Sequence, residues 1–193
     1  MNRLMRAAQK NEQAHAILEE LQLLEKWRLI GDCYVVGATA YNLIVTPDID
    51  IETFCDNPEP SKIMSMLASL VCHPNVVELK YHDFTQHDFQ GHYFKLIYVK
   101  KEIEWTIDMW LFSNDRKGAL SRDLVPYMTT YLTAQNREVI LTIKEALILR
   151  QLDFSSVFIY QAVMEFGVQT IAEFLKWTET HPTTVPFHWQ PIA

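Results

Sequence analysis

Basic residues are missing from one long stretch of this chain: no lysine or arginine occurs between Arg28 and Lys62. Over all 193 residues, 17 Lys and Arg are outweighed by 24 Asp and Glu, a formal net charge of −7. A protein that tracks nucleic-acid backbones needs clustered positive charge, so this balance argues against nucleic acid as a partner. It favours cationic small molecules only weakly, because net charge governs encounter and solubility more than specificity. Cysteine is scarce too. Cys33, Cys55 and Cys72 form no paired metal-type spacing, and an odd count suits a reducing compartment. No apolar run nears the roughly 20 residues of a membrane helix, and Met1 to Ala16 is polar and charged, unlike a secretory signal. The expected location is the cytoplasm, without a membrane partner. Internal repeats and low-complexity segments are lacking.

What is present is an ordinary globular composition, 49% hydrophobic and 21% charged, in a chain long enough for one core with a helical annex. Apolar residues at three- and four-residue steps predict helices over 11–30, 61–71, 121–127, 137–152, 155–166 and 168–178. Asn11 and Ser61 are candidate caps, and Gly31 and His73-Pro74 candidate stops. Residues 38–44 suit a short helix. Alternating patterns predict strands over 33–36, 48–54, 76–82, 93–99 and 102–112, with the last two joined by a hairpin hinged at Lys100-Lys101. Residues 83–91 read as a polar loop. Pro182, Pro186 and Pro191 predict an extended tail over 181–193, draped on the surface. A change of pattern near residue 115 divides an α/β core, residues 1–115, from a helical region, residues 116–193.

The strand 48–54 carries Asp48 and Asp50 on one face, since side chains two apart on a strand point the same way. At 6–7 Å and an effective dielectric near 20, two ionised carboxylates repel by about 2–3 kcal/mol. A divalent cation is the commonest gain that makes such a pair tolerable. The strand 102–112 has the same shape, with Glu102, Glu104, Thr106, Asp108 and Trp110 on one face and apolar residues on the other. Were the two strands neighbours, Asp108 would join Asp48 and Asp50 around one or two cations. Magnesium takes oxygen ligands and keeps substrate phosphates as partners, and a pair of such ions suits in-line displacement at phosphorus. The third carboxylate could ligate metal or accept the proton of an attacking hydroxyl, with Glu104 in reserve for that role. Upstream, Gly37 ends the strand 33–36, where a glycine turn lets backbone approach a phosphate chain.

Gly37-Ala38, then Asp48-Ile49-Asp50-Ile51, then Ile107-Asp108-Met109 resemble the nucleotidyltransferase superfamily of DNA polymerase beta type, and its small lincosamide and aminoglycoside members most. The resemblance covers residues 30–112, with a looser echo after Arg137. It implies an α/β (α+β) fold: a mixed sheet with helices on one face, followed by a C-terminal helical portion. It further implies Mg2+ at Asp48 and Asp50, Asp108 as third carboxylate, and Gly37, Ala38 and Thr39 as the triphosphate turn. The implied reaction transfers a nucleoside monophosphate from a nucleoside triphosphate such as ATP to a hydroxyl of a small molecule. Here Ala38 replaces the usual glycine or serine and supplies no hydroxyl. The turn has no basic residue, which leaves metal, backbone and Lys95 to meet the triphosphate charge.

Each residue also has a plainer reading. Asp48 and Asp50 could be a solvated strand face, Thr39 a packing or capping residue, and Lys95 an edge charge that discourages aggregation. His82, His87 and His92, at five-residue steps, lack convincing ligand spacing. Three other functions stay open: the same fold as a catalytically inactive binding or regulatory module, a toxin–antitoxin component modifying a protein or RNA, and a nucleotide-sugar glycosyltransferase. The oligomeric state is open as well.

Overall fold

A computed structural model describes residues 2–118, 120–184, 189 and 191. Its N-terminal part runs α1 (Arg3–Glu20), α2 (Leu23–Arg28), β1 (Asp32–Val36), α3 (Gly37–Tyr41), β2 (Asp48–Cys55) and α4 (Pro60–Ala68). Next come β3 (Val76–Asp83), β4 (His92–Lys100) and β5 (Ile103–Ser113). Four helices close the chain: α5 (Ser121–Tyr131), α6 (Ala134–Leu149), α7 (Ser156–Met164) and α8 (Ile171–Thr178).

The alternating segments pair as expected into a mixed sheet of order β1-β2-β5-β4-β3, in which β2 and β5 are parallel and the other neighbours antiparallel. Lys101 and Glu102, at φ 50° and 63°, form the two-residue connection of the β4–β5 hairpin. Positive φ at both positions matches the right-handed twist of the strands they join. Ile49, Ile51, Ile107, Met109, Leu111, Phe94 and Leu96 all fall on one buried face. Ile17, Leu21, Trp27, Ile63 and Leu67 from α1, α2 and α4 cover it. A second cluster gathers Tyr41 and Leu43 with the apolar faces of α5 to α8 and with Ala7 of α1.

The helices differ from the periodicity in three places. α1 begins at Arg3, where the Asn2 side chain accepts the Met5 N–H at 2.8 Å, so Asn11 is mid-helix and not a cap. Its polar first turns are held from outside. Arg3 pairs with Glu138 and Glu145 at 2.9 and 2.6 Å, Arg6 pairs with Glu145 at 2.5 Å, and Ala7 is buried against the C-terminal helices. The span 11–30 is also broken at Gln22, which takes a left-handed conformation and starts α2. Finally, Ser61 is not a cap: Glu59 holds that position and Pro60 opens α4, where its fixed φ suits the first helical turn. In the tail, Trp189 is buried and donates to Glu165 at 2.6 Å; the rest of the extended-tail expectation over 185–188, 190 and 192–193 lies outside the described residues.

Candidate active site

β1 runs antiparallel to β2, and the turn that ends it lies against the acidic strand. Gly37 has φ +61°, and a Cβ there would sit 2.3 Å from Asp50 Oδ2. Only a residue without a side chain lets this turn close. Thr39 is buried, and its hydroxyl donates to the Asp48 carbonyl at 3.1 Å. It thereby ties α3 to the acidic strand, and with Ala38 beside it the turn presents no spare side-chain hydroxyl.

The parallel register sets Asp50 opposite Asp108, so three partly exposed carboxylates, Asp48, Asp50 and Asp108, bring oxygens within 4.8 Å of one another. Among the described residues no other group of three or more acidic, histidine or cysteine side chains comes together in this way. At that spacing each ionised pair repels by at least about 3 kcal/mol at an effective dielectric of 20. The titration behaviour follows. Burial, then the charge of Asp108, pushes Asp48 up to about 6, against the opposing pull of Lys144. Asp50 lies well above the usual carboxylate range, through burial and then Asp48 and Asp108. Burial also raises Asp108, while the Tyr93 hydroxyl, donating at 2.5 Å, pulls it back down.

Asp48 Oδ1 is buried without a hydrogen-bond partner. An orphaned carboxylate oxygen beside two further carboxylates is a donor set suited to a hard divalent cation, and the added positive charge would reverse the upward shifts.

Lys144, absent from the sequence expectations, belongs here. It projects from α6, donates to the Leu43 carbonyl at 2.9 Å and lines the same cavity as Gly37, Asp48 and Asp50. Burial pushes it down to about 8, and the charges of Asp50 and Asp48 oppose that fall. Its one sequence signal is a lysine inside the apolar run 139–149, a position that costs free energy unless an opposite charge is near. The cavity measures about 450 Å³ and also takes in Trp110, Arg116, Ser156 and Tyr160.

Glu52 has a different task. Buried at 6% exposure, its two oxygens accept the Ser121 and Arg122 N–H groups at 3.1 and 3.0 Å, capping α5. Lys95 stands opposite Asp108 on β4, three strands from the one that leads into Gly37. Glu104 is exposed near the hairpin and outside the carboxylate cluster. His82 lies tilted against Phe84 and His87 meets that ring edge-on, while His92 meets Tyr81.

No family model and no curated protein sequence matches the chain. Solved structures do. The non-canonical poly(A) polymerase GLD-2, in complex with GLD-3, superposes at a TM-score of 0.52 with 13% identity, over 95% of this chain and 61% of that one. The polymerase core of TRAMP, an RNA surveillance complex, gives 0.54 with 15% identity, over 89% and 50%. CdnC of E. coli MS115-1, in complex with HORMA-deltaN, gives 0.54 with 13% identity, over 91% and 68%. The chain thus spans between half and two thirds of the first two. At such identities the likeness speaks for the fold: this is the nucleotidyltransferase fold, as Gly37, Asp48, Asp50 and Asp108 suggested.

Proposed function

We propose that the protein is a nucleotidyltransferase that moves a nucleoside monophosphate from a nucleoside triphosphate to a hydroxyl of a small molecule. The observation that carries this reading is the orphaned Asp48 oxygen within the Asp48–Asp50–Asp108 cluster. Asp48 and Asp50 would hold Mg2+, one ion or two, with Asp108 completing the set; bound there, the ion neutralises charge on the phosphoryl oxygens. The Gly37-Ala38-Thr39 turn brings backbone to the triphosphate. Lys144 supplies the cation that the turn lacks. Asp108 takes the acceptor proton, its basicity raised by burial and its orientation held by Tyr93.

A cavity of about 450 Å³ lined by Gly37, Asp48, Asp50 and Lys144 suits the triphosphate, and a net charge of −7 speaks for a small acceptor over nucleic acid. The catalytic strands belong to residues 1–115, and Leu124 of α5, Lys144 of α6 and Tyr160 of α7 line the cavity from the helices that follow. The three cysteines are free, in keeping with a reducing cytoplasm; no helix among the described residues is long and apolar enough to cross a membrane. The test is a thermal-shift screen of the four nucleoside triphosphates with and without Mg2+, followed by assay of pyrophosphate release. Metal-dependent stabilisation lost in Asp48→Asn and Asp50→Asn supports the assignment. Undiminished binding of MgATP by those variants contradicts it.

One observation favours a second reading, an inactive binding module: the only hydroxyl of the turn, on Thr39, is already engaged by the Asp48 carbonyl. Metal-dependent binding without pyrophosphate release under any acceptor would single it out.

A further inference from the structure

The sheet register orders the site in space. Gly37 ends β1 against Asp50, and Lys144 lines the same cavity as Gly37, Asp48 and Asp50, so the triphosphate end of a nucleotide lies over β1 and β2. In-line displacement at phosphorus requires the attacking oxygen to come from the side opposite the leaving pyrophosphate. The acceptor must therefore lie over β5, β4 and β3. On that open face a single row runs across four strands: Asp50 opposite Asp108, Asp108 opposite Lys95, and Lys95 opposite Lys80. Side chains directly opposite in a sheet share a face, so both lysines stand beyond the carboxylate that meets the acceptor hydroxyl.

We propose that the acceptor carries a phosphate group, seated on Lys95 and Lys80, a sugar's length from the hydroxyl that reacts. This proposal rests on the nucleotidyl-transfer reading and narrows its acceptor class. Neighbouring strands lie 4.7–4.9 Å apart, so Lys95 is about 5 Å and Lys80 about 10 Å from the Asp108 row. That interval is the reach between a hydroxyl and the phosphate of a pentose or hexose monophosphate, free or within a nucleotide. The Lys80 side chain is 64% exposed and pairs with Glu78 at 2.9 Å, an exposed pair of the kind that contributes little and exchanges readily for a phosphate. The adjoining row, Trp110, Tyr93 and His82, with Phe84 packed on all three rings, gives an aromatic wall for the sugar or base. In the reaction the acceptor oxygen bonds to the α-phosphorus and the bond from that phosphorus to the β-phosphate oxygen breaks. Pyrophosphate leaves, and the hydroxyl proton passes to Asp108 and on to water.

The experiment supplies the four α-labelled triphosphates with Mg2+ and compares acceptors in pairs: ribose and ribose 5-phosphate, glucose and glucose 6-phosphate, adenosine and AMP. The phosphorylated member should be labelled about tenfold faster or more, the worth of one or two charge-assisted hydrogen bonds. Lys80→Ala should remove most of that preference while leaving the Mg2+-dependent thermal shift with triphosphate unchanged. The sugar pairs against the nucleoside pair show whether a base is needed as well. Equal labelling within each pair, or triphosphate binding with no phosphorylated compound labelled, overturns the phosphate seat and leaves nucleotidyl transfer standing. Loss of metal-dependent triphosphate binding in the parent protein itself overturns both.

Discussion

At Gly37, backbone conformation and site chemistry meet in one residue. A methyl group there would strike Asp50 and would also force a left-handed φ on an L-residue, a conformation that alone costs about 1–2 kcal/mol. Gly37→Ala is expected to destabilise the fold by at least that much in urea titration and to displace Asp50, with loss of metal-dependent triphosphate binding in calorimetry. Asp50→Asn should act in the opposite sense on stability. Its carboxyl is raised well above the ordinary range by burial and by two like charges, so removing the charge should stabilise the metal-free protein by about 1–3 kcal/mol at neutral pH. The same substitution should abolish metal-dependent binding. A stability gain coupled to a functional loss is the mark of a site built against the fold's own preference. Lys144→Met keeps most of the side-chain volume and removes the cation. Triphosphate affinity should fall about tenfold or more, in line with the loss of a charged hydrogen bond.

At the scale of elements, Glu52 joins the acidic strand to the helical region. It lies two residues beyond Asp50 on the same face of β2, and its oxygens take the first two N–H groups of α5, where the helix dipole also favours an anion. Glu52→Ala should cost about 1–2 kcal/mol, the range for losing a strong N-cap. Hydrogen exchange should accelerate in α5 while β4 and β5 keep their protection. The strands were legible because alternation is local: β2 and β5 each place their carboxylates on one side within a few residues. The start of α1 was not. Its first turns are polar in sequence, and they are ordered by Arg3 and Arg6 reaching Glu138 and Glu145, more than 130 residues away along the chain. The break at Gln22 was hidden for a related reason, since the apolar steps continue through it and only packing against the sheet turns the chain.

For the whole molecule, the cluster makes stability depend on pH with a definite sign. Burial and the charge of Asp108 push Asp48 from its ordinary 3.8 up to about 6 in the folded protein, so between those values the folded state holds more protons and stability falls as pH rises. Lys144 titrates at about 8 against 10.5. Above about 8 the unfolded chain holds more protons, and stability recovers with further rise. Asp50, raised further still, extends the fall upward in pH, so the metal-free protein should melt at a lower temperature at pH 7.5 than at pH 5. Mg2+ or Mn2+ should offset that loss, with a larger stabilisation at pH 7.5 than at pH 5. Asp108→Asn should reduce the gain.

The sequence by itself determined the strands, their acidic faces and the glycine turn, because each follows from residues adjacent in the chain and from the two-residue period of a pleated backbone. Tertiary structure decided what those faces became. The parallel pairing of β2 with β5 set Asp50 against Asp108 across dozens of intervening residues. The packing of α6 brought Lys144 into the cavity of Asp48 and Asp50, and the row from Asp108 through Lys95 to Lys80 emerged only when two more strands, β4 and β3, fell into register. Electrostatic interaction depends on distance in space, and a local pattern carries no record of which distant charge will lie close.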